Sequence, residues 1–412
     1  MGVISCGTTL IDEGTFKNIG AVTWDTTAKT GNFTAVGGNG YFVNTTSGSI
    51  TVTLPSSPSA GDVVGIADYA NTADTNKITI ARNGSNIQGE ADNFDIKQEG
   101  MSVVLLYVDG TQGWLSVDAG QANDINNKEF ITATGGTITT SGDFKIHTFT
   151  SPGTFCVSAL GNPFGGPNSV DYLVVAGGGG GGGQDYHDDR GAGGAGAGGY
   201  RTSFPSPAGT TPVSVQGYPV SIGGGGAGGD NPDVNGTNGS NSSALSITSA
   251  GGGYGGGHVQ NGGPGGSGGG GSNDSSGRPG GTGNTPPVSP PQGNNGGTGS
   301  PNASPWTGGG GGGASAVGAT GAPNAGGDGG DGSPNSITGS DTSYAGGGGG
   351  GGGPGGVQGC GGAGGGGAGS NSPGAATSGT ANTGGGGGGN GEINGSGGAG
   401  GSGVVIIRYK FQ

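Results

Sequence analysis

Val170-Asp171-Tyr172-Leu173-Val174-Val175-Ala176 passes without a break into seven glycines, Gly177 to Gly183. Far downstream, Gly401-Ser402-Gly403 passes just as directly into Val404-Val405-Ile406-Ile407-Arg408-Tyr409-Lys410-Phe411. Two strand-like apolar runs therefore bracket residues 177–403, and 92 of those 227 residues are Gly. The fold is decided by what such a body can be.

Collagen requires Gly at every third position, and runs such as Gly346 to Gly353 break that register. A flexible linker is the bland alternative, since Gly-rich chains usually behave as random coil. The segment is nevertheless neither padded with Ser nor highly charged: Thr202 to Ile407 holds seven acids and one base, Arg278. The remaining reading is a bundle of polyglycine II helices. Such a helix is extended, has three residues per turn and makes no internal hydrogen bonds. Buried backbone groups must still find partners, so each helix has to bond sideways to several neighbours. Glycine alone is expected to let backbones approach on all sides.

Outside the glycine body the chain reads as β throughout. Ile50, Val52 and Leu54 alternate with Thr51 and Thr53; Ile78 and Ile80 flank Thr79; Val103 to Val108 is a buried-strand run. Asn83-Gly84 and Asp109-Gly110 supply hairpin-type turns, and no stretch carries a helical period. Phe144, Ile146 and Phe149, then 170–176, then 404–411 form a second β region. Its strands are expected to form a sandwich that emits glycine helices from one edge, with the last strand returning beside 170–176. The expected fold class is all-β: a small N-terminal β-domain, then a β-sandwich interrupted by a polyglycine II helix bundle. The expected division is 1–30 as an arm, 31–120 as the first β-domain and 121–142 as a linker. Residues 143–176 plus 404–412 form the sandwich, and 177–403 the glycine body with short inserted strands.

Composition narrows the function. The formal net charge of −14 disfavours polyanionic partners, so no nucleic acid is expected. No run of about 18 apolar residues occurs, so no membrane insertion is expected, and residues 2–10 do not read as a signal peptide. Cys6, Cys156 and Cys360 fit neither a disulfide framework nor a zinc spacing. Matches to GxGxxG carry no information in this composition, and no Gly-Lys-Ser/Thr phosphate loop is present. Gly326 to Gly332 imitates one calcium-binding nonapeptide, but Ser333 stands where a large apolar residue is needed and a single copy cannot stack. Asp185 to Arg190, with Tyr186 and His187, is the densest polar cluster. It reads as a metal site or as a solvated tip between two glycine runs, the tip being favoured. The histidines at 147, 187 and 258 are dispersed, and no catalytic grouping is suggested. No enzyme activity and no cofactor or metal is expected.

The interruptions between glycine runs are more informative. They include 184–190, 301–306 and 335–344, rich in Pro and Asx as turns require. Tyr186, His187, Tyr254, Trp306 and Tyr344 are the receptor-binding candidates, since aromatics stack on sugars or anchor to protein pockets. Each also reads as a cap on the glycine block, evenly for Trp306 and as the favoured reading for the others.

Two groups of residues carry a family resemblance. Gly48-Ser-Ile-Thr-Val-Thr-Leu-Pro55, 59–69 and 104–114 resemble a β-module of tailed-phage fibre and neck proteins. The combination 143–149, 171–179 and 401–409 resembles a glycine-rich domain of marine and cyanobacterial phage structural proteins. The resemblance implies a virion protein, a tail fibre or fibre-tip appendage, often a homotrimer, located on the extracellular part of the particle. Its implied partners are other tail or neck proteins and a host-cell receptor, glycan or outer-membrane protein. It fixes no binding residue. A non-viral glycine-rich surface protein, ice-binding ones included, is the alternative.

Overall fold

The computed structural model describes residues 22–119, 128–162, 165–184, 191–205, 211–230, 234–274, 276–301, 306–371, 375–391 and 395–412, with four two-residue strands before residue 22. Those four form two small hairpins: β1 (Ile4–Ser5) with β2 (Thr8–Thr9), and β3 (Ile11–Asp12) with β4 (Thr15–Phe16). Two compact units follow the chain, Met1–Lys128 and Glu129–Gln412. The fold is all-β; no helix among the described residues is long and apolar enough to cross a membrane.

In the first unit, β5 (Thr23–Lys29), β6 (Phe33–Thr34), β7 (Asn39–Val43), β8 (Ile50–Thr53), β9 (Val63–Asp68) and β10 (Ile78–Ala81) alternate between two sheets. Within each sheet they stack in parallel, β5-β7-β9 in one and β6-β8-β10 in the other. β11 (Phe94–Ile96), β12 (Ser102–Asp109) and β13 (Gly113–Ala119) then join antiparallel. Of the two hairpin-type turns expected here, only one joins strands that pair across it. Asp109-Gly110 does turn β12 into β13. Asn83 and Gly84 take φ of 48° and 98°, yet the strand that pairs antiparallel with β10 is β11, ten residues further on. The turn residues report a local reversal, whereas the alternation of buried Ile50, Val52, Ile78 and Ile80 chooses the partner. β5 falls within the expected arm, because Trp24 lies flat over Gly40: a Cβ there would stand 2.6 Å from its ring.

The second unit contains β14 (Thr132–Thr134), β15 (Thr137–Ser141), β16 (Phe144–Phe149), β17 (Gly153–Ala159) and β18 (Ser169–Val175). Then come β19 (Tyr200–Thr202), β20 (Thr211–Pro212), β21 (Gly217–Val220), β22 (Ser242–Ala244) and β23 (Ile247–Ser249). The last are β24 (Ser333–Asn335), β25 (Thr342–Tyr344) and β26 (Val404–Lys410). One sheet runs β14-β17-β21; the other runs β15-β16-β26-β18-β19, with β20 also on β18. β14 and β15 thus occupy the stretch expected to be linker. β26 pairs antiparallel with β18, Val404 opposite Val175, as the sequence led us to expect.

These two central strands carry consecutive apolar residues, 172–175 and 404–407, because both of their faces are covered there. Val170, Val174, Val405, Ile407 and Tyr409 pack with Phe155 and Val157 of the opposing sheet. Leu173, Val175, Val404 and Ile406 pack on the other side with Ala197, Ile337, Tyr344 and Ala345 at the foot of the glycine body. A strand buried on both faces reads as a continuous hydrophobic run rather than an alternating one.

The glycine body is a block of three-residue helices. Gly177 to Gly183 are all buried, and none has φ in the left-handed region. The N–H groups of Gly177, Gly180 and Gly183 donate to the carbonyls of Ser240, Thr237 and Val234. Those of Gly178 and Gly181 donate to Gly401 and Gly398, and those of Gly179 and Gly182 to Gly196 and Gly193. All three of these neighbours run antiparallel. The carbonyls accept from three others, all parallel: Gly252 and Gly255, Gly226 and Gly229, Gly387 and Asn390. Six neighbours thus surround one helix, its bonds advancing to the next neighbour with each residue, as a three-residue turn dictates. Residues 191–199 and 346–352 are surrounded in the same way. At each of Gly177 to Gly183 a Cβ would also meet a neighbouring carbonyl oxygen; on Gly178 it would stand 2.1 Å from that of Gly385. Glycine is not obligatory everywhere, because Ala192, Ala195 and Ala197 are fully buried in the same block.

Candidate recognition rim and flanks of the glycine block

The register of these bonds assigns each chain reversal to one of two ends. At the sheet end lie the β22-β23 and β24-β25 hairpins and the segments 284–292, 313–316, 363–366 and 380–384, level with Ala176 and Ala250. At the opposite end, which we call the rim, the chain turns at 257–261, 273–278, 322–325 and 353–357. The described residues flanking 185–190, 302–305, 372–374 and 392–394 are at the rim as well.

Rim turns are tight and locally satisfied. Ala322 and Ala325 exchange N–H···O bonds of 2.9 and 3.0 Å, with Asn324 at φ 66°. The Gly356 N–H donates to Gly353 over Gly355, whose φ of 73° suits glycine. The Asp274 carboxylate pairs with the Arg278 Nε at 2.7 Å and accepts the Ser276 N–H at 2.8 Å. Burial pushes its pKa up, but the Ser276 bonds and the guanidinium outweigh this and hold it below the usual carboxylate value.

The candidate residues separate. Tyr186 and His187 lie outside the described residues. Trp306 stands at the rim, half-buried, its carbonyl accepting the Gly191 N–H at 2.9 Å. Tyr254 sits midway along a helix on the flank, its ring laid on Gly263, where a Cβ would be 2.4 Å from it. Tyr344 is a correction: it ends β25 at the sheet end and is 7 % exposed within the apolar core. That burial pushes its phenol pKa up. The 335–344 interruption is accordingly no rim tip. Among the described residues no group of three or more His, Cys, Asp or Glu could hold a metal. Asp328 and Asp331 instead accept the backbone N–H groups of Cys360 and Ala363 at 2.7 and 2.9 Å.

That last contact belongs to a device the sequence reading overlooked. A helix on the flank has no neighbour on its outer side, and its outward N–H groups need acceptors. Asn235, Asn238 and Asn241, three residues apart, present their side-chain oxygens to the N–H groups of Gly257, Tyr254 and Gly251 at 2.8, 2.9 and 2.9 Å. Asn295 does the same for Gly283 at 2.8 Å. The side chains stand in for the missing helix and close the edge, much as polar residues blunt the edge of a β-sheet. The signal was present in Asn235-Gly-Thr-Asn238-Gly-Ser-Asn241, an Asx period of three that matches the helix turn.

No curated protein matches the chain. Residues 150–410, covering both bracketing strands and the whole block between them, match the family described as glycine-rich domain. The chain belongs to the glycine-rich domain family.

Proposed function

We propose that this chain is a structural protein of a tailed-phage virion, a tail fibre or fibre-tip appendage, that attaches to the host cell through its rim. The observation that carries the reading is the collection of chain reversals at one end of a block whose backbone is bonded on six sides. Loops on so rigid a base lose little conformational freedom on binding, and loops on rigid scaffolds are where recognition residues concentrate. Trp306 is the described candidate anchor. The receptor is a surface glycan or outer-membrane protein, the other partners are virion proteins, and the assembly is a homotrimer. No catalysis is assigned to it.

The test exchanges 301–306 with the matching segment of a related fibre and, separately, exchanges 335–344. The first exchange is expected to move host range and the second to leave it unchanged. Host range that ignores the 301–306 exchange while adsorption persists would reduce the rim to a cap. The alternative, a non-viral surface protein, would be favoured by a purified chain that fails to compete with any phage for adsorption.

A further inference from the structure

In the first unit, two glycines on neighbouring strands clear a seat for one indole ring. Gly40 of β7 stands opposite Gly65 of β9, and Trp24 of β5 stands opposite Gly40. A Cβ on Gly40 would come within 2.6 Å of the ring and one on Gly65 within 3.3 Å. The ring therefore lies on bare backbone with its other face turned outward, and Trp24 is 36 % exposed. Phe42 continues the surface, its centroid 5.0 Å from that of Trp24 and its plane tilted by 34°. Tyr69, 57 % exposed, stands edge-on to Phe42 at 6.4 Å.

The ladder extends this face across the sheet. Val104 lies opposite Gly65 and Leu106 opposite Val63, and Leu115 lies opposite Leu106. All three of these outward residues are half-buried, whereas Tyr41, Val43, Ile66 and Leu105 on the other face are buried inside the unit. Asp118, opposite Val104, brings a charge only at the far edge strand. Five strands about 4.8 Å apart, paired over about five residues of 3.3 Å each, give the face roughly 300 Å². A stable protein interface takes about 800 Å² per partner, so this face is too small to hold a second copy by itself. It matches the contiguous apolar patches of about 300–600 Å² that serve as functional sites on monomers. The occupant is therefore small. A bare aromatic face suits the C–H face of a pyranose, and rings with a polar tip also reach its hydroxyls. Neither the Trp24 indole N–H nor the Tyr69 hydroxyl has a hydrogen bond among the described residues, so both are available. Nucleobases stack on such rings too, but they come with phosphates, which a net charge of −14 repels. The same charge, with none on the platform to offset it, disfavours an acidic sugar.

We infer that Trp24, Phe42 and Tyr69 form a stacking platform for a neutral pyranose unit of a saccharide. The site does not rest on the rim reading. It is tested by saturation-transfer NMR titrations on the full chain with methyl β-glucoside, methyl β-glucuronide and sorbitol, which has hydroxyls but no ring. The glucoside is expected to bind, its ring C–H protons on one face receiving the most saturation. Sorbitol is expected to be weaker by about tenfold or more, and the glucuronide no tighter than the glucoside. Trp24→Ala is expected to weaken the glucoside by about tenfold and Tyr69→Ala by a smaller factor, with the mass of the assembly in light scattering unchanged in both. Sorbitol that matches the glucoside, saturation spread evenly over both ring faces, a tighter glucuronide, or glucoside binding untouched by either substitution overturns the proposal. So does a lower assembly mass in the folded Trp24→Ala chain, which would give this face to a second copy. If Trp24→Ala does not fold, the exposed Tyr69→Ala and the glucoside-to-sorbitol ratio on the unaltered chain still decide. Exchange of 301–306 is expected to leave that ratio unchanged, so failure of one reading does not entail failure of the other.

Discussion

Replacing Gly178 by Ala is the sharpest test of a block knitted through its backbone. The new methyl would stand 2.1 Å from the Gly385 oxygen and 2.5 Å from its carbonyl carbon, against about 3.5–4 Å for an ordinary contact. Both atoms are main chain, so no side chain can swing aside, and one helix must retreat by roughly 1 Å. That movement strains the bonds from Gly401 to Gly385, 2.8 Å, from Gly387 to Gly179, 3.0 Å, and from Gly178 to Gly401, 2.9 Å. Weakening two or three bonds of about 0.5–1.5 kcal/mol each, on top of about 1–3 kcal/mol of overpacking, gives a loss of about 2–5 kcal/mol. At about 2–4 °C per kcal/mol for a unit approaching this size, the melting temperature falls by roughly 5–15 °C. Gly224→Ala is the control: it is exposed, and a Cβ there meets nothing within 4 Å. That control is expected to hold its melting temperature or rise slightly, since Ala lowers unfolded-state entropy by about 0.4–1 kcal/mol. Calorimetry on both variants decides. Equal melting temperatures would refute the packed-helix account, because a loose chain cannot distinguish the two sites.

Two further outcomes follow from the second unit. His147 is fully buried, stacked on Tyr409, with Nδ1 2.7 Å from the Gly135 carbonyl and Nε2 3.2 Å from the Tyr409 hydroxyl. Burial disfavours the imidazolium, and Lys145 adds to this, so the folded pKa lies below the usual value despite the Gly135 bond. The unfolded state then binds the proton more readily. The contribution is complete above the ordinary His pKa of about 6.5 and is lost as pH falls from there toward the folded value. Thermal melts between pH 8 and 5 are expected to show this decline and His147→Gln to flatten it; an unchanged slope removes His147 as its source. Asn238→Ala deletes the acceptor of the Tyr254 N–H, 2.9 Å away, at a cost of about 1 kcal/mol. Hydrogen exchange at Tyr254 is expected to accelerate, while Asn238→Asp, which retains an acceptor, protects it. Equal exchange in the two variants would show that water already serves that N–H.

What could be read from the chain alone depended on whether the signal was local. The apolar runs 170–176 and 404–411 announced strands buried on both faces, and their adjacency followed because both open onto glycine. The uninterrupted runs at 177–183 and 346–353 required lateral partners, and each of these helices has six neighbours. Side chains at every third residue were harder to recognise: Asn235, Asn238 and Asn241 look like loop composition until the helix period is applied. The two ends of the block share the same Pro- and Asx-rich vocabulary. Nothing local told the Tyr344 reversal, which faces the sheets, from the Trp306 reversal at the rim. In the first unit, Asn83-Gly84 marked a bend but could not say that β8, and not only β11, lies beside β10.

Val175 and Val404 face each other in the ladder, so the chain departs from the sheet and rejoins it at adjacent points. A pull transmitted along the polypeptide would be carried across the β18–β26 rungs, and the glycine excursion between them would hang slack. Its length is then free of mechanical duty. Helices could be gained or lost in up-and-down pairs, each with its own turn, without altering how firmly the protein is tethered.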